Sequence, residues 1–175
     1  GFLGALTFGK GIDILLDAIN TLRSPNFEVK IWGQWRPEER HFLSQITELK
    51  RTLGEKIKYY GPYSLQDLDK ILEEIHVGIV PSRKETYCIV LREILSKNIP
   101  VICTKFLGSD IVKDGFNGFI IDKNPHDLRE KMLLFINNPN LVQKMSLNVM
   151  NIHIPTLEEE AKALVLLYKS LLTQT

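Results

Sequence analysis

Short apolar runs alternate with helix-like patterns along the whole chain, and this alternation most constrains the fold. Most runs are apolar at successive positions, which is typical of strands covered on both faces. Six of them predict strands: residues 2–6, 29–32, 57–60, 77–80, 101–104 and 119–121. Because short connections join these strands to helices in a βαβα order, we predict an α/β domain. Its core is a Rossmann-like, doubly wound parallel sheet of about six strands with helices on both faces.

The segments between the apolar runs carry signals for helix starts. Ser64 is a predicted N-cap, with Asp67 three positions further on. Asn124 followed by Pro125 predicts a helix over residues 125–137, and two further proline-led helices follow it.

Composition excludes several classes of protein. The 175 residues suffice for one α/β domain with its own core, and the formal net charge of +1 gives no basis for a nucleic-acid partner. No apolar run is long enough to span a membrane, and the four histidines lack the spacing of metal ligands. Cys88 and Cys103 lack a CxxC spacing and are expected to stay reduced, which favours a cytoplasmic location.

Ligands of doubly wound sheets bind beyond the carboxyl ends of the strands, so the turns there are the first place to search. The turn from Gly4 to Gly11 nearly matches the P-loop pattern, but Gly11 stands where Ser or Thr would ligate magnesium. An ATPase or kinase is therefore disfavoured. Gly9 and Gly11 would let the backbone approach a phosphate, with Lys10 supplying charge at a helix start. A glycine-bearing turn with a solvated lysine fits this segment equally well.

Residues 80–104 hold the strongest candidate site. They predict a buried strand, a polar loop, a helix that begins near Tyr87, and a second buried strand. Glu85 and Glu93 bracket the loop and the helix start, and carboxylates accept hydrogen bonds well from sugar hydroxyls. The free backbone N–H groups of residues 86–88 would face an anion. This layout suits a phosphorylated, hydroxyl-rich ligand, whereas a solvent-facing Glu93 is the alternative.

The same stretch resembles the pattern of retaining glycosyltransferases with the GT-B fold, sequence family four (glycosyl transferases group 1). That pattern is P-S-x-x-E-x-[FY]-G-x-x-x-x-E, and five positions match it in register: Pro81, Ser82, Glu85, Tyr87 and Glu93. The resemblance covers nearly the whole chain in order. Its other matched segments are Lys10-Gly11, Ile31-Trp32-Gly33, Gly61, Pro100-Val101-Ile102 and the DGxNGF-like turn over residues 113–119.

The resemblance implies the C-terminal, donor-binding half of a GT-B enzyme. Glu93 would then hold the ribose hydroxyls, Glu85 would be the catalytic residue near the reacting carbon of the donor sugar, and Lys10 would neutralise the diphosphate. Further donor contacts are implied for Gly9, Gly33, Gly61, Tyr63, Thr86, Tyr87, Cys88 and Gly108. No metal or other cofactor is expected, because positive side chains and amides carry the phosphate charge.

The implied partners are a UDP- or GDP-sugar and an acceptor glycan or lipid. We expect residues 1–175 to be a single domain cut from a longer chain, because Gly1 opens directly into the first predicted strand. The N-terminal, acceptor-binding domain would be absent, so this domain would bind donor and transfer little sugar alone. The full-length protein would be cytoplasmic, with peripheral association at the inner membrane face as a further option.

Three positions depart from the family pattern. Ala5 replaces an arginine, whose phosphate contact Arg83 or Lys84 could supply. Cys88 replaces the glycine after the aromatic residue, and residues 107–110 shorten the GGxxE turn of the family. Two alternatives therefore stay open: a non-catalytic nucleotide-binding or scaffold domain of the same fold, and another GT-B enzyme such as a sugar-nucleotide epimerase. A phosphorylase would need a lysine placed for a pyridoxal cofactor, and the sequence offers no case for one.

Overall fold

The computed structural model describes residues 1–172, with the side chain of Leu157 excepted. Six strands and seven α-helices lie within these residues. The strands are β1 Phe2–Leu3, β2 Val29–Trp32, β3 Ile57–Gly61, β4 Gly78–Val80, β5 Val101–Thr104 and β6 Gly118–Ile121. The helices are α1 Ile12–Thr21, α2 His41–Leu53, α3 Leu68–Glu73, α4 Ile89–Ser96, α5 Pro125–Asn137, α6 Pro139–Met150 and α7 Leu157–Leu172.

All strand pairs are parallel, and they form two three-stranded sheets, β1-β2-β3 and β4-β5-β6. The sheets meet at Gly1, whose nitrogen donates to the Val77 carbonyl at 2.8 Å and whose carbonyl accepts from the Ile79 N–H at 2.8 Å. Across the molecule the strand order is therefore β3-β2-β1-β4-β5-β6, the order of a doubly wound nucleotide-binding fold. The predicted α/β class is confirmed, with the strands divided between two sheets.

Two elements differ from their predicted bounds for local backbone reasons. β1 ends at Leu3, because the chain bends at Gly4, whose φ of 144° lies outside the range of a strand. Leu6 instead forms an isolated bridge to Trp35. Helix α4 begins at Ile89 and not near Tyr87, because Cys88 has left-handed backbone angles of φ 52° and ψ 76°.

The core lies in two layers, one on each face of the strands. Successive strand residues point to opposite faces, so Ile79 packs in the layer with α1, α2 and α5, whereas Val80 packs in the layer with α3 and α4. Leu91 is among the fully buried residues of the second layer. Each fully buried side chain of this kind stabilises the fold by roughly 1.5–3 kcal/mol. These layers hold the helix starts against the carboxyl ends of the strands.

The predicted helix signals act as expected at two sites. The Asn124 side chain accepts a hydrogen bond from the Asp127 N–H at 2.9 Å, and α5 has the predicted bounds. The N–H of Ser64 donates to the Asp67 carboxylate at 3.0 Å.

Helix α7 presents exposed apolar side chains, among them Leu166 and Tyr168. No helix within residues 1–172 is both long and apolar enough to cross a membrane.

Candidate functional site

Two loops join at the carboxyl ends of β1 and β4. The β1 loop (residues 4–11) leads into α1, and the β4 loop (residues 81–88) leads into α4. The N–H of Arg83 donates to the Gly9 carbonyl at 2.9 Å, so the two loops are hydrogen-bonded directly. A Cβ placed on Gly11 would lie 2.0 Å from the Pro81 carbonyl oxygen. The two loops therefore form one surface, as expected for neighbouring strands of this fold.

Lys10 and Glu85 meet across this junction. The Lys10 ammonium donates to Oε1 of Glu85, and the Ser82 hydroxyl donates to the same oxygen at 3.0 Å. The Glu85 side chain is only 10% exposed, whereas that of Lys10 is 39% exposed. The Ser82 carbonyl accepts from the buried hydroxyl of Thr104 at the end of β5. A cation and a fixed hydroxyl thus hold Glu85 in one orientation, and Thr104 is a supporting residue that the sequence did not indicate.

Arg83 stabilises the contact between the two loops. Its guanidinium makes two hydrogen bonds of 2.6 Å to the Asp13 carboxylate in the first turn of α1, and it lies 3.8 Å from the centroid of the Phe8 ring. These contacts engage Nη1 and Nη2 of Arg83, and the expectation that Arg83 or Lys84 supplies the missing phosphate contact stays a prediction. Lys84 is exposed and has no ion pair among the residues described here.

Glu93 is half-buried on α4 and carries a carboxylate with no ion pair or hydrogen bond to any described residue. Burial raises the pKa of Glu93 above its ordinary value. Burial, together with the nearby charge of Glu93, raises the pKa of the Tyr63 phenol on the loop after β3. The structure therefore brings together the two residues predicted for ribose and base, and it does not place Glu93 in open solvent.

The backbone of the β4 loop ends in three N–H groups, those of Thr86, Tyr87 and Cys88, that donate to no protein acceptor in the part of the chain described. Because α4 begins at Ile89, these groups precede the helix, where the positive end of the helix dipole reinforces them. The predicted anion cradle is thus a loop leading into the helix. Such groups bind oxyanions readily.

The side chain of Tyr87 has a structural role. Arg92 donates to the Tyr87 carbonyl at 2.8 Å, and its guanidinium lies 3.8 Å from the centroid of the Tyr87 ring. Gly108, with φ 87°, lets the loop after β5 approach, because a Cβ there would be 3.2 Å from the carbonyl oxygens of Thr86 and Tyr87. Arg92 was not among the predicted site residues, although its place beside Glu93 on α4 was the available signal.

Gly33 and Gly61 connect the ends of β2 and β3. The Gly33 N–H donates to the Gly61 carbonyl at 2.7 Å, and the Tyr59 hydroxyl donates to the Gly33 carbonyl at 2.9 Å. Trp32 is 5% exposed and stacks on Tyr60 with ring centroids 4.8 Å apart, so it packs within the protein. These contacts fix the strand ends that lead to Tyr63.

Gly9 differs from these glycines because the nearest atom to an added Cβ is the Thr7 hydroxyl, 3.8 Å away. Protein contacts therefore do not require glycine at this position.

No group of three or more His, Cys, Asp or Glu side chains that could hold a metal ion occurs within the described residues.

The Cys88 thiol lies where the family pattern has glycine. It is buried, and burial raises its pKa to about 11, with Glu85 and Lys10 among the charges that act on it. The thiol is therefore neutral at physiological pH. It lies close to the Lys10–Glu85 pair.

Replacing Cys88 by glycine or alanine separates the strain of the backbone from the bulk of the thiol. Left-handed angles cost an L-residue about 1–2 kcal/mol, whereas glycine loses about 0.5–1 kcal/mol in chain entropy. We expect Cys88→Gly to be more stable than Cys88→Ala by about 0.5–1 kcal/mol, measured by urea unfolding. Alanine is the matched control because it removes the sulfur and keeps the Cβ. If Cys88→Ala were the more stable variant by about 0.5–1 kcal/mol, only the chain entropy of glycine would be acting, and the backbone at Cys88 would be unstrained.

Sequence comparisons identify relatives over most of the chain. The family model described as glycosyl transferases group 1 matches residues 1–151. A glycosyltransferase of Methanocaldococcus jannaschii is 34% identical over 151 residues, which are 84% of this chain and 40% of that protein. Granule-bound starch synthase 1 of Ipomoea batatas is 28% identical over 120 residues, which are 68% of this chain and 19% of that enzyme.

Solved structures share the fold. Anabaena HepE in complex with UDP has a TM-score of 0.80 at 19% identity, over 96% of this chain and 48% of that one. Sucrose-phosphate synthase of Thermosynechococcus elongatus also has a TM-score of 0.80 at 19% identity, over 99% of this chain and 46% of that one. The chain spans less than half the length of each of these four proteins. Because the family model matches residues 1–151 and the fold is that of one domain of the GT-B enzymes, the chain belongs to the group 1 glycosyl transferases.

Proposed function

We propose that this domain binds a nucleotide-sugar donor, UDP- or GDP-linked, for retaining transfer of a hexosyl group to a glycan or lipid acceptor. The observation that carries the proposal is the unpaired, half-buried carboxylate of Glu93 next to Tyr63. Partly desolvating a carboxylate is costly unless hydrogen-bond donors compensate. The two hydroxyls of a ribose are suitable donors. Anabaena HepE, which shares the fold, was solved with UDP and with UDP-glucose, and this supports the same class of ligand here.

The Lys10–Glu85 pair suggests how the rest of the donor binds. In the structure each group neutralises the other. A diphosphate would compete for the Lys10 ammonium and would accept from the N–H groups of residues 86–88. Glu85 would then be released toward hydroxyls of the donor sugar near its reacting carbon, while Ser82 keeps it oriented. Amides and ammonium groups in this arrangement can carry the diphosphate charge without a metal.

The proposal also covers the acceptor and the cellular location of the protein. We place the acceptor between this domain and a second, N-terminal domain, so the present chain would bind donor and transfer little sugar. The free, buried thiols of Cys88 and Cys103 support a cytoplasmic location. Peripheral association with the inner membrane face would accompany a lipid acceptor.

The test is calorimetric titration with UDP, GDP and ADP, repeated with Glu93→Ala and Glu93→Gln. Removing hydrogen bonds to a charged group costs about 1–3 kcal/mol, so Glu93→Ala should weaken binding of the preferred nucleotide by roughly 5–150-fold. Glu93→Gln keeps the shape and one acceptor oxygen, and it should lose less. Glu130→Ala is the control, because Glu130 lies on α5 on the other face of the sheets and should leave affinity unchanged.

The same titration separates the alternatives. Ala5 and the thiol of Cys88 favour a non-catalytic scaffold, and absence of binding by all three nucleotides would support that alternative. Binding that survives Glu93→Ala undiminished would refute the ribose role of Glu93. A sugar-nucleotide epimerase would bind nucleotide with the same Glu93 dependence, but it would convert the donor in the absence of any acceptor.

A further inference from the structure

A cavity of about 480 Å³ opens beside Glu85, on the side of the site toward β5 and β6. Its walls come from the β4 loop and from the segments that follow β5 and β6. Four cationic side chains line it, together with a single carboxylate: Arg83, Lys84, Lys105, Lys123 and Glu85. The cavity is therefore strongly positive, although the chain as a whole is nearly neutral.

The three lysines of this cavity lack compensating charge. Arg83 is neutralised by Asp13, and Glu85 is already paired with Lys10. Lys123 donates only to the Arg83 carbonyl, at 3.1 Å, and no described carboxylate forms an ion pair with Lys84, Lys105 or Lys123. Like charges around one concave wall raise its potential, and a bound anion relieves their repulsion.

The cavity borders the proposed diphosphate site and extends away from it toward β5 and β6. Neither Lys10 nor Glu93 lines it, but Glu85 and Thr86 do. The proposed base and ribose residues lie toward β2 and β3, whereas this cavity lies toward β5 and β6, at the other end of the strand order. A donor bound as proposed would run from Tyr63 toward Glu85, so its sugar end points at the cavity.

We propose that this cavity is a second anion subsite, which takes a phosphate or carboxylate carried by the transferred sugar or by the acceptor. The placement of the sugar end rests on the proposed function, whereas the anion preference rests on the cavity itself. Both sources offer the same chemistry, an oxyanion that accepts charge-assisted hydrogen bonds from ammonium groups. The subsite would thus select anionic saccharides over neutral ones.

The experiment uses the double variant Lys105→Ala/Lys123→Ala, with Lys50→Ala/Lys144→Ala as a charge-matched control on α2 and α6. Probe binding is followed by NMR through the amides of residues 84–86 and 105–107. One arm titrates inorganic phosphate and glucose 6-phosphate against glucose. The other arm titrates UDP-glucuronate against UDP-glucose.

We expect the anionic probes to bind the native chain and the control, and to bind roughly tenfold more weakly to the double variant. An advantage of UDP-glucuronate that the double variant loses identifies the donor sugar as the source of the anion. Lysine-dependent binding confined to glucose 6-phosphate identifies the acceptor. Both results support the subsite, and its affinity should fall with added salt.

Equal binding of every anionic probe to the native chain and the double variant would overturn the subsite. The phosphate arm needs no nucleotide, so this result does not depend on donor binding. A Glu93-dependent affinity for UDP or GDP could persist in that case, and the proposed function would stand without the subsite. If instead no nucleotide binds while glucose 6-phosphate shows lysine dependence, the subsite stands and the donor proposal falls.

Discussion

Gly11→Ala is expected to destabilise the fold by about 2–5 kcal/mol, which is enough to unfold a marginal domain. Gly11 has φ 71°, and a Cβ there would lie 2.0 Å from the Pro81 carbonyl oxygen and 2.8 Å from its carbon. The left-handed angle costs an alanine about 1–2 kcal/mol, and overpacking adds about 1–3 kcal/mol. Backbone cannot rotate away like a side chain, so the β4 loop must move.

The control for this prediction is Gly115→Ala. Gly115 has nearly the same φ, 72°, but no heavy atom lies within 4 Å of an added Cβ. It should lose only the backbone contribution of about 1–2 kcal/mol, measured by urea or thermal unfolding. Equal losses in the two variants would contradict the view that close approach to Pro81 requires glycine at position 11. Displacement of the β4 loop should also separate Lys10 from Glu85 and weaken nucleotide binding.

Gly11 has a structural requirement for glycine that the sequence pattern did not reveal. The P-loop-like pattern suggested that Gly11 lets the backbone approach a phosphate, whereas the structure uses it for contact between two loops. The neighbouring Gly9 is the glycine with open space around it. A sequence pattern records that a side chain is absent, and it cannot tell whether protein or ligand fills the space.

The elements themselves were predictable because their signals are local. Continuous apolar runs marked all six strands, and the Asn-Pro start gave α5 its bounds. The strand order was not predictable, since it depends on backbone hydrogen bonds between Gly1 and residues 77 and 79. The backbone at Cys88 was predictable only in part. The family pattern has glycine at this position, and the chain keeps the left-handed backbone angles although cysteine replaces that glycine.

The residues of the candidate site also fall into two groups, those that a local sequence pattern predicts and those that only the folded chain brings together. Glu85 and Glu93 were identified from their spacing within one loop and helix. The structure holds Glu85 beside Lys10 and Glu93 near Tyr63, and their roles toward a donor stay predictions. The ion pair of Arg83 with Asp13 joins residues 70 positions apart, so no local pattern announces it. The three lysines around the proposed anion subsite come from three separate loops, and only the parallel arrangement of β4, β5 and β6 brings them to one cavity.

Asn117→Asp is expected to destabilise the fold at pH 7 by about 3 kcal/mol or more and to recover much of this loss in acid. Asn117 is fully buried; its Oδ1 accepts from the Lys113 N–H at 2.7 Å, and its Nδ2 donates to the Ile111 carbonyl at 3.0 Å. An aspartate of the same shape keeps the acceptor, but it loses the donor and buries a charge against a carbonyl oxygen. Burial without a cation raises a carboxyl pKa above its unfolded value of about 3.9.

The sign of the pH dependence follows from that raised pKa. Between the unfolded and the folded pKa, the folded variant binds more protons than the unfolded chain, so its stability falls as pH rises from about 4. Below that range the protonated acid can donate to the Ile111 carbonyl and restore the lost hydrogen bond. Asn151→Asp is the control, because Asn151 makes the same kind of donor contact, to Leu147, in an exposed position. Unfolding free energies measured against the native chain at each pH should diverge for Asn117→Asp alone. Matching pH profiles would mean that burial does not raise the carboxyl pKa at position 117, and they would contradict the predicted cost of a buried charge there.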